Sequence, residues 1–292
     1  MKKERLTPFK PQLQQLHFRA KKRLGQHFLI NEDIADCILS AAELSNNDTV
    51  IEVGPGLGIL TRRIAEKVSN VIAVELDSKL VDVLTKQTRS SSNILIVHAD
   101  ILNISPAQLL KQYANTPAIL NNYKVVANLP YYITSPTIRH FLASSWKPSL
   151  MVLMVQKEVG ESIVATPGEM SFLAVSTQLY SKPRIVKYVP AENFYPVPKV
   201  DSVVLCLEVN SSPLVDTNDI DGFLDIVHCG FRAPRKQIHN SLALALKIPP
   251  SQILLLLKEA DIDPKRRPET LNLQEWKELY RVFYPHRKQV SC

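Results

Sequence analysis

Four points divide the first half of the chain at a nearly regular interval, and that spacing limits the fold more than any other feature. Gly54, Glu75, Asp100 and Asn128 each follow a short apolar run, and they lie 21, 25 and 28 residues apart. The runs occupy residues 49–53, 70–74, 94–98 and 124–127, and they are rich in Val and Ile. Apolar runs of that length without strict alternation suit strands buried on both faces, and the intervals leave room for a helix between each pair. The pattern predicts successive strand–helix units of a parallel sheet, an α/β class. Residues 150–155 predict a fifth strand. Residues 184–189 and 202–209 predict two more, on either side of a proline-rich loop. Before the first unit, Asn31 is placed to cap a helix running through Ala41-Ala42.

Near Asn210-Ser211-Ser212-Pro213 the pattern changes. Helical periodicity takes over at residues 220–229, 236–246, 251–260 and 273–283, punctuated by Pro249-Pro250 and by Pro264 to Pro268. The expected organisation is an arm over 1–20, a sheet domain over 21–210 and a small helical domain over 211–292. No apolar run reaches the roughly 20 residues of a membrane-spanning helix. Cys37, Cys206, Cys229 and Cys292 show no regular spacing. That predicts reduced thiols and a cytoplasmic setting, with no metal site.

Charge is concentrated at one end. Residues 1–30 hold eight cations against Glu4, while the remainder carries 27 cations and 27 anions. A basic arm on a neutral body fits a phosphate backbone; a solvated tail would have the same composition.

In an open parallel sheet, ligands bind outside the carboxyl ends of the strands. The Gly54-x-Gly56-x-Gly58 turn allows close approach to the backbone. Glu75 is placed for a pair of ribose hydroxyls, and Asp100 for an adenine amine. A dinucleotide and S-adenosylmethionine both remain compatible with that set. The spacing departs from Gly-x-Gly-x-x-Gly, and the acid after the third strand favours the methyl donor. Asn128-Leu129-Pro130-Tyr131 follows the fourth strand. The side-chain carbonyl of Asn128 and a backbone carbonyl held outward beside Pro130 could orient an aromatic amine, whose lone pair is otherwise delocalised into its ring. Tyr131 offers a flat surface for a base taken out of its stack. No Ser-His-Asp set is evident.

Five segments occur in order: 21–29 (Lys-Lys-Arg-Leu-Gly-Gln-His-Phe-Leu), 52–58 (Glu-Val-Gly-Pro-Gly-Leu-Gly), 128–131, 156–159 (Gln-Lys-Glu-Val), and 194–202 with Phe194, Pro196, Pro198 and Lys199-Val200-Asp201-Ser202. Together they resemble the KsgA/RsmA family of ribosomal RNA adenine N6,N6-dimethyltransferases, from about residue 20 onward. The resemblance implies a class I methyltransferase (Rossmann-like) sheet with an antiparallel last strand and a small C-terminal helical domain. It implies S-adenosyl-L-methionine as cofactor, held by His27, Leu29, Gly54, Glu75, Asp100 and Asn128. Relatives commonly have Asn or His at the position of His27. Asn128, Tyr131 and Phe194 are the expected catalytic residues, the two rings sandwiching the target adenine; Tyr195 is the alternative to Phe194.

The implied substrate is a pair of adjacent adenosines in the 3′-terminal hairpin of 16S rRNA, within an immature 30S subunit. Lys21, Lys22 and Arg23, together with Arg232, Arg235 and Lys236, are the expected RNA contacts. Lys265, Arg266 and Arg267 extend the basic set, and a salt-bridged helical surface is the alternative reading of these charges. Two departures from relatives are Pro234, where they carry a polar or basic residue, and residues 170–175. Nothing calls for more than a monomer. Two other functions are weighed: an Erm-type methyltransferase acting on 23S rRNA, and a non-catalytic RNA-binding assembly factor. The blocks at 156–159 and 194–202 lean against the first, and the full set of cofactor positions leans against the second. The absence of a sizeable target-recognition domain makes a DNA adenine methyltransferase the weaker choice.

Overall fold

A computed structural model of the chain describes residue 21 and residues 24–111, 123–215 and 219–284. They fall into two compact units. One runs up to Gly160 and resumes over Lys182–Ser211; the other comprises Glu161–Ser181 and the residues from Ser212 on.

The first unit is built on a seven-stranded sheet. Its strands in chain order are β2 (Thr49–Val53), β3 (Asn70–Glu75), β4 (Ile94–His98), β5 (Tyr123–Asn128), β6 (Leu150–Gln156), β7 (Ser181–Val189) and β9 (Ser202–Val209). Their spatial order is β4-β3-β2-β5-β6-β9-β7. The four pairings from β4 to β6 are parallel, and β9 runs antiparallel to β6, with Met151 opposite Leu207 and Met154 opposite Val204. Every residue of β2 is buried, as is β6 up to Val155, which explains why the sequence shows continuous apolar runs there. A separate two-stranded ladder joins β1 (Phe28–Leu29) to β8 (Phe194–Tyr195).

The chain leaves β2 toward β3 on one side, and later returns to pair β5 with the other side of β2. That reversal opens a crevice at the strands' carboxyl ends, where ligands of such sheets bind. The opposite end of the sheet is tied by Asp48. Its carboxylate accepts from Lys124 Nζ at 2.9 Å and from the Ser45 N–H, and its carbonyl accepts from the N–H groups of Ser69 and Asn70. The starts of β2, β3 and β5 are thereby fixed in register. Helix α1 (Glu32–Ala41) begins at Asn31, whose side chain accepts from the Asp33 and Ile34 N–H groups. Helix α2 (Ile59–Ala65) follows the glycine turn, and α3 (Ser78–Gln87) starts at the Asp77 cap.

The second unit packs helices of residues 220–231, 238–246, 250–259 and 273–283 around Trp276, which is fully buried. A Cβ on Gly230 would stand 2.3 Å from the Trp276 ring, so this helix can cross the indole only at a glycine. Residues 161–181 join these helices rather than the sheet with which sequence reasoning placed them. The Gly168 and Met170 N–H groups donate to the Glu269 carbonyl, and the Leu214 N–H donates to the Leu179 carbonyl. The sequence-divergent stretch at 170–175 begins a short helix capped by Ser171. Cys37 and Cys206 are free thiols.

Candidate functional site

A cavity of about 310 Å³ lies at the carboxyl ends of β2, β3, β4 and β5. Its walls come from five stretches of the sequence: the strap 24–29, the glycine turn, the acid that ends β3, the acid that follows β4, and the segment 128–133. The turn requires glycine for two separate reasons. Gly54, Gly56 and Gly58 have φ of 66°, 60° and 78°, in the left-handed region. A Cβ at Gly58 would also meet Leu84 Cδ2 at 2.8 Å, and one at Gly56 would press on the Phe28 ring at 3.1 Å.

Glu75 is buried, at 6% exposure. Its Oε2 accepts from the Gly56 N–H at 3.2 Å and its Oε1 from the Asp77 N–H at 2.9 Å. Burial pushes its carboxyl above the ordinary value, and these two backbone donors offset part of that. A carboxylate has about four acceptor directions, so two remain for hydroxyls at the cavity. Asp100 uses Oδ1 to cap the turn at Leu102, at 3.0 Å, and lines the cavity half-buried.

Asn128 donates its amide NH2 to the His27 carbonyl at 3.0 Å. The contact fixes the amide plane and leaves the side-chain oxygen as an acceptor beside the cavity. His27 makes two further contacts. Its Nδ1 is 2.6 Å from the Pro196 carbonyl, which can only accept, so Nδ1 carries the proton. Its ring lies 5.8 Å from that of Tyr131, with 20° between the planes. The Tyr131 hydroxyl meets Ser202 Oγ at 2.9 Å, and burial raises its pKa. One histidine thus connects the strap, the Asn-Leu-Pro-Tyr turn and the proline-rich loop. Leu29, also at the cavity, is 1% exposed.

The strap is held by Asp77. This carboxylate accepts from Lys21 Nζ at 2.8 Å and Gln26 Nε2 at 3.1 Å while capping α3. Burial works against its ionisation, but these donors prevail and hold its carboxyl below the ordinary value.

One sequence expectation requires correction. Phe194 is only 1% exposed and packs in the core with Leu29, Ile34 and Val189, so neither face of its ring is open to a base. Strand alternation across the β1–β8 ladder turns Phe194 inward opposite Leu29 and leaves Tyr195, at 36% exposure, outward. Lys21 is ion-paired to Asp77, with its side chain 32% exposed. Lys22 and Arg23 lie outside the described residues. In the second unit Arg232, Arg235 and Lys236 are exposed, whereas Arg266 is tied to both Glu275 carboxylate oxygens and to Thr270.

Sequence reasoning missed Asp77, Gln26 and Glu52. Asp77-Ser78 at a helix start was a readable capping signal for the first. The other two stand inside the segments 21–29 and 52–58 that carry the resemblance, without a local signal for what each would meet. Among the described residues no group of three or more His, Cys, Asp or Glu side chains could hold a metal ion, and no helix is long and apolar enough to cross a membrane.

The family model described as ribosomal RNA adenine dimethylase matches residues 17–283. A ribosomal RNA small subunit methyltransferase A from Dehalococcoides mccartyi is 46% identical over 265 residues, covering 91% of this chain and 89% of that protein. One from Moorella thermoacetica is 41% identical over 266 residues, covering 90% and 92%. Among solved structures, a dimethyladenosine transferase from Plasmodium falciparum matches with a TM-score of 0.74 at 26% identity, over 89% of this chain and 98% of that one. The 23S rRNA methyltransferase ErmE matches with a TM-score of 0.67 at 26% identity, over 87% and 98%.

Proposed function

The chain belongs to the ribosomal RNA adenine dimethylase family, on a class I methyltransferase sheet, and from that premise we propose that it dimethylates two adjacent adenosines at N6 in the 3′-terminal hairpin of 16S rRNA. The particle acted on is an immature 30S subunit, and the enzyme works in the cytoplasm as a monomer. The observation that carries this reading is Asn128. Its amide is oriented by the His27 carbonyl, at a strand end, over a cavity that also holds the glycine turn, Glu75 and Asp100.

S-adenosylmethionine, when bound, supplies a methyl group on a sulfonium that leaves readily. The donor set fits it. Two acceptor directions of Glu75 suit vicinal ribose hydroxyls, Asp100 suits an adenine amine, and the glycine turn leaves the backbone bare at the cavity wall. His27 and Leu29 close the same space from the strap. Asn128 Oδ1 would accept from the target amine and turn its lone pair toward the incoming methyl. Tyr131 would stack on the base, its ring kept in place by the Ser202 hydroxyl and the His27 ring. Stacking of that kind contributes ~1–3 kcal/mol per base, enough to offset much of the unstacking cost. With Phe194 buried, the second face of the base falls to Tyr195. No general base is needed before transfer, because the amine loses its proton after the methyl arrives. Positioning is therefore the main catalytic effect. N6-methyladenosine keeps one hydrogen for Asn128 to hold, so the same acceptor serves both rounds.

The likeness to ErmE supports a second reading, in which the substrate is 23S rRNA. Transfer of labelled methyl to small subunits lacking the dimethyladenosines, with large subunits and their naked RNA in parallel, separates the two. Label in N6,N6-dimethyladenosine of small subunits alone is the expected result. Label confined to 23S rRNA would move the substrate to the large subunit, and RNA binding without label would make the chain an assembly factor.

A further inference from the structure

Of the large apolar side chains exposed among the described residues, Tyr188, Tyr195, Val197 and Val200 crowd into one short stretch, 188–200. That stretch leaves the end of β7, the edge strand of the sheet, and returns to β9. Its two ends are tied together: the Ala191 N–H donates to Asp201 Oδ1 at 3.0 Å. Ser202, which opens β9, lies opposite Gln156 at the end of β6, and its hydroxyl meets that of Tyr131. One residue on from Gln156, the Lys157 N–H donates to the Asp201 carbonyl at 3.0 Å. The exposed rim is therefore continuous with Tyr131. Within it Tyr188 is 52% exposed, and Lys157 Nζ lies 5.8 Å from its ring centroid. A cation at that distance is attracted to the ring and helps to hold it. The exposed charges of the rim balance, Lys157, Lys187 and Lys199 against Glu158, Glu192 and Asp201, so it has no net charge with which to draw phosphates. What it offers is ring area, which suits the face of a base.

We propose that Tyr188 is a second base-stacking ring, which holds the nucleotide adjoining the target adenosine. The inference rests on the RNA-methylating reading of the site. When an adenosine is turned in against Tyr131, its neighbour in the strand loses a stacking partner. An exposed ring on the rim of the same site replaces that partner, and it does so for any base, since every base has a π-face. Tyr188 thus acts on the binding of RNA, through KM, and not on the transfer of the methyl group.

The test is transfer of labelled methyl by the whole protein to small subunits lacking the dimethyladenosines. Tyr188→Ala should lower kcat/KM by ~5- to 150-fold, through KM, while Tyr188→Phe stays within about twofold of the wild type. The Kd for S-adenosylhomocysteine should be the same in all three proteins. The second arm uses subunits reconstituted with 16S rRNA in which each neighbour of a target adenosine is made abasic in turn. On one of these two substrates the difference between the wild type and Tyr188→Ala should disappear. An unchanged kcat/KM in Tyr188→Ala overturns the proposal. A loss that persists undiminished on both abasic substrates overturns it too, and would place a protein of the particle, not a base, against the ring. A loss matched by weaker S-adenosylhomocysteine binding overturns it as well, and would make the ring structural. Absence of label in small subunits with the wild type would instead overturn the RNA-methylating reading itself, and this inference with it.

Discussion

The cavity of the first unit and the basic surface of the second are built on opposite principles. Around the cavity, several polar side chains are held by a group from a distant stretch: Asn128 by the His27 carbonyl, His27 by the Pro196 carbonyl, Tyr131 by Ser202, and Lys21 and Gln26 by Asp77. In the second unit Arg232, Arg235 and Lys236 stand exposed at the end of one helix and the turn into the next. Substituting a residue of the first kind displaces partners as well as removing a group. Substituting one of the second kind removes a charge in high dielectric and little else. Chemistry needs the former, since misplacement by about an ångström can cost ~100-fold in rate, whereas phosphate attraction tolerates the latter.

The sharpest test of the contrast is Asn128→Ala. Methyl transfer should fall by at least ~100-fold, of the order seen when a positioned polar group is removed from a reacting centre. RNA affinity in a filter-binding assay should stay within about twofold. Next comes Tyr131→Ala, whose lost stacking should lower kcat/KM for RNA by ~5- to 150-fold, with Tyr131→Phe losing far less. An unchanged Tyr131→Ala would remove the base from this ring. Asp77→Asn should raise the KM for S-adenosylmethionine several-fold while leaving the KM for RNA nearly unchanged, because it loosens the strap rather than the RNA surface. A pH signature accompanies it. Lys21 and Gln26 hold the Asp77 carboxyl below its ordinary 3.8, so its stabilising contribution is complete above that value and is lost as pH falls through the depressed one. Thermal unfolding followed on acidification should show that loss in the wild type and not in Asp77→Asn. The smallest effect belongs to the second unit. Arg235→Ala and Lys236→Ala should each reduce the slope of log K against log salt by about 1, with kcat intact. A large kcat effect from either would end the distinction between the two regions.

Several parts of the site are legible in the sequence alone. The intervals between Gly54, Glu75, Asp100 and Asn128 reflect successive parallel strands, well buried except at the edge strand β4, so the sheet and its binding end follow from local composition and spacing. The bounds of β2, β4 and β9 match the apolar runs; β2 and most of β9 are buried, and β4, at the edge of the sheet, is half-buried. Phe194 and Tyr195 are not separable in that way. They are adjacent aromatics in a two-residue strand, and only pairing with β1 decides which one turns inward. Lys21 reads as one of a run of cations, and its partner Asp77 lies 56 residues away.

By itself the sequence determined the family, the parallel sheet and the residue types at its ligand-binding end, because these depend on hydrophobic periodicity and on glycine and carboxylate placement along one strand or turn. Only the tertiary structure decided which side chains are free to act. It buried Phe194, paired Lys21 with Asp77, oriented Asn128 through His27 and moved residues 161–181 to the helical unit. The physical reason is the range of the forces involved. Strand and turn preferences act over a few residues, while burial and buried hydrogen bonds depend on segments that meet only once the chain has folded.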